Sequence, residues 1–191
     1  MALYTPRANA VINHAIQFAV IAHGNQVRKG NEHLPYVFHC IDVANEIFYY
    51  SGLTVEEMRI ASIIAILHDT IEDTPVTQGD ISDQFGDDVA QGVGALSKNE
   101  SVSCTGNSKL AQLTESITRI KQFPKYVWAV KLADRISNLK SFPAMWGREK
   151  ITEYLSEASL IARELGEASE GLHARLLARI AQTRVMLSIM S

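Results

Sequence analysis

Apolar residues recur along this chain at intervals of three and four rather than in alternation, the spacing that gathers them on one face of a helix. Over 8–23 the stripe is Val11, Ala15, Phe18, Ala19 and Ala22; over 39–50 it is Ile41, Ala44, Ile47 and Phe48. Thr54 with Glu57 three residues on has the form of a capping box, where two side chains satisfy amide hydrogens that a first helical turn leaves without partners. A helix is predicted from there to about His68. Thr77 and Asp80 open a short helix ending near Phe85-Gly86, and another follows over 87–97. The polar run SKNESVSCTGNS at 97–108 has no period and reads as a mobile loop. Helical spacing resumes over 109–122, again after Pro124, and over 148–165, with Pro143 and Gly147 as punctuation before it and Gly166 as a C-cap after it. The last predicted helix, 169–189, aligns Leu172, Leu176, Ile180 and Leu187. No strand pattern persists, and neither repeat nor linker divides the chain. The expected fold is all-α, one helical-bundle domain over 1–191, completed by C-terminal helices of about 148–190.

Composition narrows the function classes. The chain has 191 residues, enough for a real core without staples, and a net charge of −3, which gives no support to binding nucleic acid or an anionic membrane. IASIIAIL, the longest apolar run, is far too short to span a bilayer. MALYTPRANA lacks a basic region followed by an apolar stretch, so no signal peptide is read. Cys40 and Cys104 make no disulfide framework, and a cytoplasmic location is expected. Exposed apolar residues on the last two helices either meet a second copy or finish the core, and the core is the simpler expectation.

The informative chemistry lies in ILHDTIEDT, residues 66–74. His68, Asp69, Glu72 and Asp73 crowd the end of an apolar helix, where a carboxylate is costly unless paired or bound to a cation. His39 opens another apolar helix, and Asp134 ends the apolar stripe of VWAVKLADRISNL. Together they form a mixed nitrogen and oxygen set suited to Mn²⁺, Fe²⁺ or Zn²⁺, with positions left for water or substrate. If the chain stays helical, Glu72 and Asp73 stand one turn above His68 and Asp69, placed to orient or deprotonate a metal-polarised water. Read alone, an HD dipeptide is common by chance and acids at helix ends usually face solvent. His14, His23, His33 and His173 show no such partners, and Cys40 reads as a small core residue.

The pattern His39, His68-Asp69, Asp134 resembles the signature of the HD-domain metal-dependent phosphohydrolases. AHGNQVRKG…LPYVFHCIDVA, ILHDTIEDT, FGDDVA and VKLADRISNL narrow the resemblance to the RelA/SpoT-type alarmone hydrolases over about 15–141, in the layout of a small stand-alone hydrolase similar to the metazoan SpoT homologue. The resemblance implies a helical HD fold, one bound metal, usually Mn²⁺, and hydrolysis of the 3′-diphosphate of (p)ppGpp to release pyrophosphate in the stringent response. It implies metal ligands at His39, His68, Asp69 and Asp134, a water-positioning pair at Glu72 and Asp73, and nucleotide contacts from Arg28, Lys29 and Asn138.

A highly charged nucleotide requires cations, and arginine adds planar stacking and bidentate contacts to its charge. Lys131 and Lys140 read as surface lysines, and Arg135 as a partner for a nearby acid. Two departures bear on specificity. GNEHLPY, between Lys29 and His39, is about two residues longer than the usual RKxGxPY form, and the polar 97–108 stretch replaces a common ERK-like run. Alternatives are therefore (p)ppApp, the 2′-phosphate of NADPH, or a sensor that binds without turnover. Tyr154 loosely resembles a tyrosine near the site in these enzymes.

Overall fold

The computed structural model describes residues 6–97 and 109–189, with the side chains of 6–9 and Glu32 left aside. The predicted loop therefore lies, apart from Ser97, outside the described residues, and so does Cys104. In chain order the elements are α1 (Pro6–His23), β1 (Val27–Arg28), β2 (Asn31–Pro35), α2 (Val37–Tyr50), α3 (Val55–Leu67), α4 (Thr70–Asp73), α5 (Gln78–Phe85), α6 (Asp87–Leu96), α7 (Lys109–Ile120), α8 (Lys125–Asn138), α9 (Arg148–Leu165) and α10 (Glu170–Ile189), with a 3₁₀ turn at Gly166–Ala168 between the last two.

Helix α3 is the axis. Ala61, Ile63, Ile64, Ala65, Ile66 and Leu67 are all buried, so its end has no solvent face. It packs against α1, α2, α6 and α8. Burial of each large side chain contributes roughly 1.5–3 kcal/mol. The predicted capping box of Thr54 and Glu57 starts α3, and Thr77 and Asp80, expected to open a short helix, form a second box that starts α5. Helix α8 is the second buried axis, covered by α2, α3, α9 and α10. The stripes of α9 and α10, from Ile151 to Leu165 and from Leu172 to Leu187, finish the same core. Leu177, Val185, Met186 and Ile189 of α10 remain exposed.

Three local features depart from expectation. A two-stranded antiparallel hairpin, β1 with β2, occupies the long segment between Arg28 and His39. Its two-residue first strand and the register shift between Val27 and Arg28 explain why no alternating pattern announced it. Gly30 turns this hairpin at φ +88°, and a Cβ there would stand 3.0 Å from the Pro143 Cα, so glycine is required both by conformation and by close approach. Gly166 ends α9 in right-handed rather than left-handed conformation. Its lack of a side chain serves packing instead: a Cβ would meet the His173 ring at 2.8 Å.

The third departure is a break in the helix within ILHDTIEDT. α3 ends at Leu67, and Asp69 takes φ −99° and ψ −3°, the sparsely populated bridge region. The Thr70 hydroxyl satisfies the Leu67 carbonyl at 2.7 Å, and the Thr74 hydroxyl does the same for Thr70 at 2.7 Å. The four-residue α4 then restarts, with the Asp73 N–H donating to the Asp69 carbonyl at 2.9 Å. The chain does not stay continuously helical from His68 to Asp73, although the backbone link from Asp69 to Asp73 survives.

Candidate metal centre

Helices α2, α3 and α8 converge at one end of the core. His39 comes from the first turn of α2, His68 and Asp69 from the break after α3, and Asp134 from one turn before the end of α8. Ligand atoms of His39, His68 and Asp134 lie within 4.8 Å of one another, and all three residues are buried. Asp69 joins them: its Oδ2 is 2.9 Å from His68 Nε2 and 3.7 Å from His39 Nε2. Asp134 Oδ1 is 3.4 Å from His39 Nε2 and 3.7 Å from His68 Nε2.

The far side of each ring determines what the near side offers. His68 Nδ1 is 2.8 Å from the Ala65 carbonyl, which can only accept, so the proton belongs on Nδ1. Nε2 then points its lone pair into the cluster. It is buried, and its short approach to Asp69 is not aligned as a hydrogen bond. Leaving a buried polar atom unsatisfied costs about 1–3 kcal/mol. His39 is arranged alike: Nδ1 lies 3.0 Å from the Ser137 hydroxyl, and Nε2 faces the carboxylates. Two ring lone pairs and two carboxylates turned toward one point are a donor set that fits a divalent cation.

Electrostatics agree. Burial disfavours charge on His68, but Asp69 and Asp134 outweigh it and hold its pKa well above the ordinary value. Burial lowers that of His39. Burial also opposes ionisation of Asp69 and Asp134, yet the His68 charge keeps Asp69 low, and Lys131 with the two histidines keeps Asp134 low. Paired carboxylates that favour a proton on His68 favour a metal ion in the same place. Tyr36 donates to Asp69 Oδ2 at 2.5 Å, and burial together with that carboxylate pushes its phenol pKa up.

Of the other predicted residues, Arg28 and Asn138 meet at the rim. Arg28 donates to Asn138 Oδ1 at 2.8 Å, and Asn138 Nδ2 donates to Asp134 Oδ1 at 2.5 Å. Lys29 is exposed in the hairpin turn and no hydrogen bond or ion pair joins it to the cluster. Glu72 and Asp73 are exposed on α4. The Asp73 carbonyl accepts from Gln26 Nε2 at 2.7 Å, which ties α4 to the segment before the hairpin. Arg135 does pair with an acid, Glu157, at 3.2 Å, and its guanidinium lies 4.0 Å over the Tyr154 ring.

Sequence reasoning undervalued four residues. Lys131 sits 3.2 Å from Asp134 Oδ2 rather than standing free at the surface. Its signal was the i,i+3 spacing to Asp134. Tyr36 precedes His39 by three residues, but no polar period marked it. Ser137 and Asp42 carry no signal individually, because their contact bridges 95 residues. Cys40 is a core residue as expected, 3.9 Å from His23 Nε2.

A helical bundle that turns two histidines and two aspartates onto one buried point is the architecture of an HD domain, and the HD-domain family matches residues 15–167. The chain belongs to this family. It is 31% identical over 171 residues to guanosine-3′,5′-bis(diphosphate) 3′-pyrophosphohydrolase MESH1 of Xenopus tropicalis, covering 87% of this chain and 91% of that protein. It is 30% identical over 170 residues to a Mycobacterium leprae protein named Probable GTP pyrophosphokinase, of whose length it spans 21%. Among solved structures, one described as a metazoan ortholog of SpoT that hydrolyzes ppGpp superposes with a TM-score of 0.78 at 26% identity, over 91% of this chain and 96% of that one. Among the described residues, no helix is long and apolar enough to cross a membrane.

Proposed function

We propose that the protein is a divalent-metal-dependent hydrolase that removes the 3′-diphosphate of (p)ppGpp-type nucleotides and releases pyrophosphate. The observation that carries this reading is the convergence of buried His39, His68 and Asp134 with half-buried Asp69, beside the Arg28–Asn138 pair. These four side chains would hold the ion, with Mn²⁺ the preferred candidate. When bound, such an ion neutralises phosphate charge and acidifies water.

The chain's own groups account for the rest. Water adds to the phosphorus bonded to the ribose 3′-oxygen, that P–O bond breaks, and the 3′-oxygen leaves as a hydroxyl after taking a proton. Glu72 and Asp73 orient the water and accept its proton. The Asp73 backbone is held on both sides, by Asp69 and Gln26, so its carboxylate is presented from a fixed base. Arg28, aimed by Asn138, receives the nucleotide's anionic groups, and Lys29 adds charge at the turn. Action in the cytoplasm as a monomer or homo-oligomer belongs to the same proposal.

The longer hairpin supports testing a second reading, the same site acting on (p)ppApp or on the 2′-phosphate of NADPH. The discriminating experiment compares kcat/KM and products for ppGpp, ppApp and NADPH with Mn²⁺. Pyrophosphate release with ppGpp preferred is the expected result; inorganic phosphate from NADPH as the preferred reaction would favour the second reading.

A further inference from the structure

Behind His39 runs a chain of hydrogen bonds whose direction is set from its far end. His39 Nδ1 is 3.0 Å from Ser137 Oγ, and Ser137 Oγ donates to Asp42 Oδ2 at 2.6 Å. Lys140 Nζ donates to Asp42 Oδ1 at 2.6 Å and also meets Glu46 at 2.9 Å. Arg175 of α10 forks onto Glu46 at 2.7 and 2.9 Å and lies 3.5 Å over the Tyr50 ring.

An ammonium only donates and an ionised carboxylate only accepts. Lys140 therefore keeps Asp42 an acceptor, and Asp42 takes the single hydroxyl proton of Ser137. Ser137 has only lone pairs left for His39, so Nδ1 must carry the ring proton and Nε2 must be the free donor atom. His68 gains the same tautomer from a backbone carbonyl, which no substitution removes. His39 depends on side chains from α2 and from the end of α8.

We propose that Ser137 and Asp42 are positioning residues that fix the His39 tautomer and aim its Nε2 at the metal. This rests on the metal-centre reading above, and it adds residues that the sequence pattern did not single out. Partners of this kind, behind a metal-ligating histidine, typically change metal affinity by about 10–100-fold when lost.

The test uses the full chain, stripped with EDTA, as wild type, Ser137→Ala, Asp42→Asn and the double variant. Mn²⁺ affinity is measured by calorimetry, and the His39 tautomer by long-range ¹H–¹⁵N correlation spectra. Both single variants are expected to bind Mn²⁺ about 10–100-fold more weakly. His39 should hold one Nδ1–H tautomer in wild type and a mixture in the variants. The double variant should bind no more weakly than Ser137→Ala, because Asp42 acts through Ser137. Wild-type affinity and tautomer in both single variants would overturn the relay and leave the metal centre standing. A wild-type protein that binds no Mn²⁺ would overturn the metal reading and the relay with it.

Discussion

The buried cluster and the residues proposed to act at its rim are built in opposite ways. His39 and Asp134 project from fourteen-residue helices set in the core, and His68 follows the fully buried end of α3. Arg28 stands on a two-residue strand, and Glu72 and Asp73 on a four-residue helix. The groups proposed to hold the ion inherit rigidity from isoleucine and leucine packing that any displacement would disturb. The rim groups sit on short elements whose sequence can change at little cost to the core. The side chains proposed to hold the ion are thus anchored in the bundle, while those proposed to handle water and nucleotide stand on α4 and on the hairpin.

Substitutions on the two sides should fail differently. His68→Ala should abolish retained Mn²⁺ and lower kcat/KM at least about 10³-fold, several kcal/mol of transition-state stabilisation. Elemental analysis and pyrophosphate assays read both, and bound metal with near-normal turnover would break the contrast at its buried side. Asp73→Asn should lower kcat by about 10²–10⁴-fold while calorimetry finds Mn²⁺ still bound. Full activity in that variant would remove the water-handling role.

The support beneath His39 has a pH signature. Burial opposes the Glu46 charge, but Arg175 and Lys140 hold its carboxyl below the ordinary range. A lowered folded pKa gives stability that is present above the usual glutamate value and lost as pH falls through the folded one. Glu46→Gln should cost about 2 kcal/mol in urea titrations at pH 7, with the difference shrinking as pH falls below about 4. A pH-independent difference would contradict this. The smallest effect is expected at the rim: Arg28→Ala should raise KM about tenfold, roughly 1.4 kcal/mol, with kcat changing less. Lys29→Ala should do less again, since among the described residues no hydrogen bond or ion pair holds that exposed side chain.

What was legible in the sequence divides along the same line. Helix positions followed from apolar spacing and from Thr54–Glu57 and Thr77–Asp80, because these are local interactions. The four cluster residues stood out because carboxylates and imidazoles at the ends of apolar stripes are costly without a purpose. The break at Asp69 did not stand out, since the threonines that satisfy its freed carbonyls are ordinary residues in a helical-looking run. The β1–β2 hairpin was hidden by its length and irregular register. Ser137, Asp42 and Lys140 matter only through contacts across about a hundred residues, which no local pattern encodes.

Metal dependence is tested most directly by a Mn²⁺ titration of EDTA-stripped protein, with pyrophosphate release from ppGpp followed at each addition. Negligible turnover is expected without metal and full turnover at about one ion per chain, with GDP and pyrophosphate formed in equal amounts. Undiminished turnover in excess EDTA, or metal binding without pyrophosphate release, would contradict it.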